Sequence, residues 1–412
     1  MPEDDIDHMI PSAGRADTDA LRAHDAEELA QYVADPTHPW WRRRACAQAL
    51  AGRVPEPWAD ALLDRVRDIE DVGEVRRALL EIVGDRPELL PWLRHEDRGR
   101  ETSYGMPDAF LRTRGLAGDL TAAEDLAVLA ASPWRRTQEA GETGLDALVA
   151  HHGLQKVLTR FGEDRPEDRL FRLRMRYRAG QDVTYALADP DRTVAHLAHT
   201  LAHDADALRA FLTHAPTTES ALWAVLALHE LTEVTKDTED TEARAETRRL
   251  YKALGSPRVE VPGLDEELRV PILHEYAQRS QRLTDPRWRV EVLCAEPPAP
   301  HDVDAWLSRA THALTSAGLA PSPPVDCGAY HQQGGGTYHV IKFGDSAVRI
   351  STLGPYASAA ESGMAARPPL EAAGFRWLDE DTAATKVTDL CVYYFGDREA
   401  LAIETLLFYW QD

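Results

Sequence analysis

The sequence predicts a mainly α fold, an α-solenoid of stacked helix pairs followed by a small α+β C-terminal module. Amphipathic segments of helical period, separated by short breaks, fill the first 230 residues. Within them an Asp- or Pro-containing break followed by Arg-led, Ala- and Leu-rich turns recurs at roughly 35 to 60 residues, the period of stacked helix pairs. Alternating strand patterns begin only after a Pro-rich stretch at 320–324.

These patterns divide the chain into segments of different character. We predict an acidic disordered lead at 1–16, a solenoid over 17–319 with a charged insertion near 235–249, a Pro-rich linker at 320–324, and the α+β module at 325–412. The module either closes the open apolar end of the repeat array or forms a second binding site.

Composition limits the partners and the compartment. Asp and Glu number 69 against 46 Lys and Arg, for a formal net charge of −23. A basic excess is usual in proteins that bind phosphate backbones, so nucleic acid is disfavoured, although the charge-balanced stretch 39–180 does not exclude it. Four widely separated cysteines favour a reducing cytoplasm. The first residues lack a signal-peptide core, and without a long apolar run we expect no membrane partner.

The recurring motif carries a resemblance to a known class of proteins. Its clearest copies are Asp35–Gly52, Asp71–Gly84, Ser132–Leu148 and Asp189–His203. Over about residues 20–320 the pattern resembles HEAT/armadillo-type helical repeats, in which Asp, an apolar residue, Arg and a small residue open the second helix of each pair. Asp71, Val75, Arg76 and Ala78 match this order. The resemblance implies an Asp–Arg ladder between repeats and an extended surface for a protein partner.

An internal duplication marks the C-terminal module. His339–Thr352 aligns with Cys391–Thr405, and Phe343-Gly344-Asp345 matches Phe395-Gly396-Asp397. Each copy reads as a hairpin with a Gly-Asp turn. With a helix in the intervening stretch Tyr356–Gly374, the copies predict a ββαββ arrangement.

The sharpest candidate contact is a row of arginines, here called the Arg stripe: Arg165, Arg169, Arg172 and Arg176. Steps of four, three and four place them on one helix face. Guanidinium forks in a row suit phosphate or an acidic protein partner, so we predict a partner-binding site. The structural alternative is a ladder paired with acidic residues of a neighbouring repeat.

Histidines offer candidate metal ligands. His199 and His203 lie at i and i+4, a spacing at which two imidazoles on one helix can share a metal ion. His274-Glu275 is similar to the His-Glu pairs of the iron-binding helical-repeat hydroxylases, whose membership would imply oxygenase chemistry. Exposed histidines on an Ala-rich helix are the plainer interpretation of the first pair, so we predict no metal site.

Aromatic-Arg strings open two helices, at Trp40-Trp41-Arg42-Arg43 and Trp134-Arg135-Arg136. They are similar to strings in the helical-repeat DNA glycosylases, which would imply a nucleic-acid enzyme, but the Asp that those enzymes use has no counterpart that we can place. Tryptophan at a helix start also serves as a packing anchor. We therefore predict a non-enzymatic protein-binding scaffold with no catalytic residues and no cofactor, and keep glycosylase-type and metal-dependent oxygenase activities as alternatives. The sequence leaves the oligomeric state open.

Overall fold

The chain is mainly helical, with a small sheet region near its C-terminus. A computed structural model describes residues 6–11, 16–84, 86, 88–95, 103–235, 241–277, 283–298, 302–392 and 400–411. It divides into two compact units, Met1–Met175 and Arg176–Asp412. This division differs from the predicted boundary at 320–324, because the residues on both sides of that stretch belong to the second unit.

The first unit contains α-helices only, apart from short 3₁₀ turns at Glu56–Trp58 and Leu120–Ala122 among its described residues. The helices are α1 (Ile6–Met9), α2 (Thr18–Ala23), α3 (Ala26–Ala34), α4 (Trp40–Ala49), α5 (Ala59–Arg67), α6 (Gly73–Val83), α7 (Leu89–His95), α8 (Met106–Leu116), α9 (Ala123–Ala130), α10 (Arg135–His152), α11 (Leu154–Leu158) and α12 (Pro166–Arg178), within which the unit boundary falls.

Two layers of helices build the first unit. Helices α4, α6, α8 and α10 pack one after another and form what we call the central layer, and α3, α5 and α9 pack on them. Asp25 starts α3 in the usual way, because its carboxylate accepts the N–H groups of Glu27 and Glu28. The apolar faces of α3 to α6 meet in one core that includes Leu29 and Leu62.

A buried arginine fixes each of two consecutive helix pairs. The Arg43 Nε donates to the Val33 carbonyl at 2.9 Å, and the Arg76 Nε donates to the Val66 carbonyl at the same distance. Both contacts span ten residues, and the two arginines are 33 residues apart in the sequence. Arg43 is therefore the structural counterpart of Arg76.

Asp71 joins the two pairs. Its Oδ1 and Oδ2 accept Nη1 and Nη2 of Arg43 at 2.7 and 2.6 Å, and both side chains are almost fully buried. This bidentate pair links α4 to the segment immediately before α6. It is the Asp–Arg contact between neighbouring helix pairs that the repeat resemblance implies for Asp71.

Part of the predicted disordered lead is ordered. Within 1–16 the structure describes 6–11 and residue 16, and there Ile6–Met9 forms helix α1. Ile6 and Ile10 are buried against the core of the first unit. Two isolated apolar side chains in an acidic stretch give little periodicity, so the sequence gives no signal for this short helix, whereas their burial removes apolar surface from water.

The second unit combines helices with three small sheets. Its helices are α13 (Arg192–Leu201), α14 (Ala205–Leu212), α15 (Thr218–Thr235), α16 (Thr241–Ala253), α17 (Glu266–Ile272), α18 (Pro286–Cys294), α19 (Val303–Ser316), α20 (Cys327–His331), α21 (Arg367–Ala372), α22 (Glu380–Ala384) and α23 (Ile403–Leu407), with 3₁₀ turns at Thr184–Ala188 and Glu361–Ala366 and a π turn at Leu273–Ala277. Its strands are β1 (Val325–Asp326), β2 (Gly335–Gly336), β3 (Tyr338–Phe343), β4 (Ser346–Ser351), β5 (Tyr356–Ser358), β6 (Arg376–Trp377), β7 (Lys386–Val387), β8 (Leu401–Ala402) and β9 (Trp410–Gln411).

The main sheet has the order β1-β3-β4-β5-β6, antiparallel except for the parallel pair β5–β6, while β2 pairs with β9 and β7 with β8. The predicted first hairpin is confirmed: Phe343 pairs with Ser346 across the two-residue turn Gly344-Asp345. Gly344 has a φ of 54°, in the left-handed region that such a turn requires.

The rest of the predicted ββαββ arrangement differs. Phe395-Gly396-Asp397 lies outside the described residues. Ile403–Thr405, expected to belong to the second hairpin (Cys391–Thr405), lies instead in helix α23. The stretch Tyr356–Gly374 begins as strand β5 before it turns helical, because Tyr356 and Ala357 pair with Arg376 and Trp377.

The described strands of the sheet region share their core with helices that precede them in the chain. One core cluster contains Trp288 of α18 together with Tyr338, Val340 and Ile403. The opposite face of the sheet packs on α19 and α21. The charged stretch 235–249, predicted to be an insertion, is partly described as the start of α16, which packs on α15 and α18. Helices and sheet of the second unit therefore depend on one another for burial.

The Arg43–Asp71 pair gives a stability prediction. Asp71→Ala leaves the Arg43 guanidinium buried with only the Val33 carbonyl, so we expect the free energy of unfolding to fall by about 3 kcal/mol. Arg67→Ala, which removes an exposed i,i+3 pair with Asp64, should cost less than about 1 kcal/mol. Urea unfolding of both variants measures the difference. Equal losses would show that the buried pair is not a stabilising link.

Candidate functional site

The Arg stripe lies along α12, and its guanidiniums bond locally. Arg165 forms a bidentate pair with Asp168 at 2.8 and 2.9 Å. Arg169 Nη1 donates to the carbonyls of Glu163 and Asp164, both at 2.9 Å. These contacts close the turn that precedes α12.

The other two arginines of the Arg stripe, Arg172 and Arg176, also form hydrogen bonds with residues nearby in the chain. Arg172 Nη1 donates to the carbonyls of Leu158 and Phe161 at 3.2 and 3.0 Å, and its Nη2 donates to Glu163. Arg176 Nη1 donates to Gln181. The contacts named here are all with residues nearby in the chain. The ladder with a neighbouring helix pair stays an alternative. Partner binding by the Arg stripe stays a prediction.

Helix α13 ends between His199 and His203, the two histidines predicted as a possible chelating pair. The helix ends at Leu201, and Asp204 already caps α14 by accepting the N–H groups of Asp206 and Ala207. His203 therefore lies beyond the helix, and the i,i+4 geometry with His199 is lost. His199 is buried, not exposed as the plainer interpretation had it.

His274 and Glu275 lie in the π turn that follows α17. Burial lowers the pKa of His274 below its usual value. Within the described part of the chain, His, Cys, Asp and Glu side chains do not come together in groups of three or more that could hold a metal ion.

The first unit has an open groove in its central layer, which we call the Arg groove. It encloses about 280 Å³ between α6, α8 and α10. Its lining residues are Arg77, Glu81, Gly105, Asp108, Ala109, Arg112, Arg136, Glu139, Ala140 and Thr143. Six of these ten side chains carry a formal charge, three of each sign.

Most charged groups of the Arg groove have a partner. Arg112 lies 3.6 Å from Glu81, Asp108 accepts the Thr137 hydroxyl at 2.8 Å, and Glu139 pairs with Arg135 outside the groove. Arg77 and Arg136 are different. Among the residues that the structure describes, neither has a hydrogen bond or an acidic group within ion-pair distance.

The electrostatic environment of Arg77 lowers the pKa of its guanidinium. Burial lowers its pKa, and the positive charges of Arg136 and Arg44 lower it further, against the opposite influence of Glu81 and Glu74. The guanidiniums of Arg136 and Arg44 therefore lie close enough to that of Arg77 to repel it. Gly105 adopts a left-handed φ of 76° beside Arg77, where an added Cβ would lie 3.2 Å from Nη1. Glycine keeps the space around this guanidinium open.

Exposed tryptophans stand at the ends of central-layer helices. Trp40 and Trp41, at the start of α4, are about 40% exposed and contact each other edge to face. Trp134, the N-cap residue of α10, is 74% exposed. Arg44 and Arg136 follow these tryptophans within about a turn of helix. The central layer thus presents aromatic and cationic side chains together.

The Arg groove was not predicted from the sequence, although the sequence contains a signal for it. Arg43-Arg44-Ala45 and Arg76-Arg77-Ala78 are the same tripeptide 33 residues apart. In each copy the first arginine is buried, and the second, about 100° further round the helix, is only partly so. Paired arginines at a repeat interval thus combine a structural and a surface role.

A polar cluster in the second unit ties three helix starts to the C-terminal region. Arg192 of α13 contacts Glu219, Asp285 and Asp389 at 3.1, 2.8 and 2.6 Å. Burial would lower the pKa of Arg192, but the hydrogen bond to Asp389 and the charges of the three carboxylates raise it. Every carboxylate has a cation, so the cluster is a structural junction.

A second cluster lies deeper between α13, α15 and α18. His199 Nε2 is 3.1 Å from Glu230, and Arg289 Nη2 donates to the same carboxylate oxygen at 3.3 Å. Burial lowers the pKa of His199 more than Glu230 and His196 raise it, so the imidazole is neutral near pH 7. Burial would raise the pKa of Glu230, but His199 and Arg289 lower it.

Comparison with known proteins found no match to any protein-family model, to any curated protein or to any solved structure. Within the described residues, no helix is both long and apolar enough to cross a membrane. The site must therefore be interpreted from its own geometry.

The Arg172 contacts give a prediction about stability. Arg172→Ala removes the donor from the carbonyls of Leu158 and Phe161, so the free energy of unfolding should fall by about 1–2 kcal/mol. Arg67→Ala, which removes only the exposed pair with Asp64 among the described contacts, serves as the comparison in the same urea titration. A stability unchanged in Arg172→Ala would show that the residue is free to serve a partner alone.

The buried His199 gives a pH prediction. The unfolded chain takes up a proton near pH 6.5, whereas the folded protein resists it, so His199 contributes stability that is lost as the pH falls below about 6.5. In His199→Gln this loss is absent. Between pH 7.5 and 5.5 the wild type should lose about 1 kcal/mol more than the variant, measured by urea unfolding. Parallel pH profiles would contradict a neutral buried imidazole.

Proposed function

We propose that this chain is a non-enzymatic, cytoplasmic helical-repeat binding protein and that the Arg groove holds a segment of a protein partner. We also propose that its helix pairs are HEAT-like repeats, as the matching Arg43–Val33 and Arg76–Val66 contacts suggest. The observation that carries the binding function is the pair of groove arginines, Arg77 and Arg136, left without an anionic partner in the described chain. A helical-repeat surface of this kind is suited to holding an extended chain.

The charges of the groove define the segment. Arg77 and Arg136 favour an acidic group, whereas Glu81, Asp108 and Glu139 favour basic groups on either side of it. A partner segment with a central acid and flanking lysines matches both. The same carboxylates would repel a continuous phosphate backbone, so a nucleic-acid ligand fits this groove less well.

The groove gives a binding prediction. A fluorescent peptide of Gly, Ala and Lys with a central pair of glutamates should bind the full-length protein, and Arg112→Glu/Arg136→Glu should weaken the binding by about tenfold or more, or about 1.4 kcal/mol. Fluorescence anisotropy measures both, and the loss should diminish at high salt, which screens exposed charges.

A matched control reverses the same number of charges elsewhere. Arg67 and Arg209 are exposed, and each pairs only with an acid three residues away on its own helix among the described contacts, apart from a 3.8 Å approach of Arg209 to Glu246. Arg67→Glu/Arg209→Glu should leave peptide binding intact. Equal losses in both doubles, or tighter binding of a single-stranded DNA oligonucleotide than of the peptide, would overturn the proposal.

A further inference from the structure

We infer that Arg77 and Arg136, with Arg44 beside them, form a subsite for a phosphoryl dianion, carried by a phosphorylated side chain of the partner. This inference rests on the proposed function, and it names the anionic group that the groove receives. It follows from the position of the three arginines, the state in which the fold leaves them, and the charges around them.

The repeat places the arginines. Arg44 and Arg77 each follow a buried arginine by one residue, on the adjacent central-layer helices α4 and α6. The buried residues Arg43 and Arg76 are held to carbonyls at matching positions, so the residues that follow them leave their helices in matching directions. Arg136 approaches from α10 and lines the same groove as Arg77. Helices α6 and α10 thus supply one guanidinium each to the groove, and Arg44 of α4 lies within electrostatic range of Arg77.

The free protein holds these groups at a cost. Within the described residues, Arg44, Arg77 and Arg136 make no ion pair, although Arg77 is partly buried and within electrostatic range of the other two. Like charges gathered without a counterion destabilise a fold, and a bound anion removes the repulsion. The other groove arginine, Arg112, has Glu81 nearby and does not share this condition.

The number of donors favours a phosphoryl group over a single carboxylate. A phosphomonoester carries nearly two negative charges at neutral pH and presents three acceptor oxygens. It can therefore accept from several guanidinium forks at once, whereas a carboxylate has one charge and two oxygens. Glu81, Asp108 and Glu139 line the remainder of the groove and leave room for one isolated anion, not for a row of them.

The test compares three peptides that differ only at the central position, which is serine, phosphoserine or glutamate, within flanking Gly, Ala and Lys. Isothermal titration calorimetry with the full-length protein should give a phosphoserine affinity about tenfold or more above that of the other two. In Arg77→Gln/Arg136→Gln this preference should disappear. The control Arg67→Gln/Arg209→Gln should keep it.

A second measurement distinguishes a ligand-binding role of Arg77 from a structural role. Without ligand, Arg77→Gln should melt at the same temperature as the wild type or higher, because it removes repulsion and no bond. A lower melting temperature would contradict the inference, since it would mean that the folded protein needs this guanidinium.

The outcomes of the peptide titrations also distinguish this inference from the proposed function. Glutamate and phosphoserine peptides that bind equally well would overturn the phosphoryl subsite while leaving the partner groove in place. Failure of every peptide would overturn both. Inorganic phosphate that binds as tightly as the phosphopeptide would identify the free ion as the ligand and overturn the assignment to a partner side chain.

Discussion

The buried guanidinium of Arg43 is the constraint on which the first unit depends. It lies inside the apolar core and is acceptable there only because the Val33 carbonyl and both oxygens of Asp71 receive its protons. These bonds join the end of α3, the middle of α4 and the approach to α6. Arg76 repeats the first of them one helix pair later. Neighbouring helix pairs therefore share one register, and that register also sets the direction of Arg44 and Arg77.

Local patterns predicted the elements better than they predicted the role of the charges. Helical periodicity identified most of the helices, and the Gly344-Asp345 turn gave the hairpin β3–β4 because a two-residue turn leaves few choices. The Arg stripe was correctly placed on one helix, but its bonds to carbonyls such as Leu158 and Phe161 depend on how the preceding segment bends. Sequence spacing carries no information about that bend.

Two other differences between prediction and structure lie at a helix end and at a sheet edge. His203 falls outside α13 because Asp204 is already the cap of the next helix, a signal present in the sequence but outweighed by the attractive histidine spacing. The composition of the Pro-rich stretch at 320–324 predicts a linker. In the structure, Pro321 forms a β-bridge with Phe343, and the Ser322 N–H donates to the Lys342 carbonyl at 2.7 Å. Proline at a sheet edge gives the same composition as proline in a linker.

The junction at Arg192 has a consequence for the order in which the chain can acquire its structure during translation. Arg192 meets Asp285 across 93 residues of sequence and Asp389 across 197. Asp285 is fully buried, and its N–H also donates to the carbonyl of Asp389. The ribosome must therefore release nearly two hundred further residues before this junction can close. The contacts that fix the first unit span at most a few tens of residues, so that unit can be complete while the second is still being synthesised. The nascent second unit then has exposed apolar helix faces for most of its synthesis, and it is the part of this protein for which chaperone protection during translation matters most.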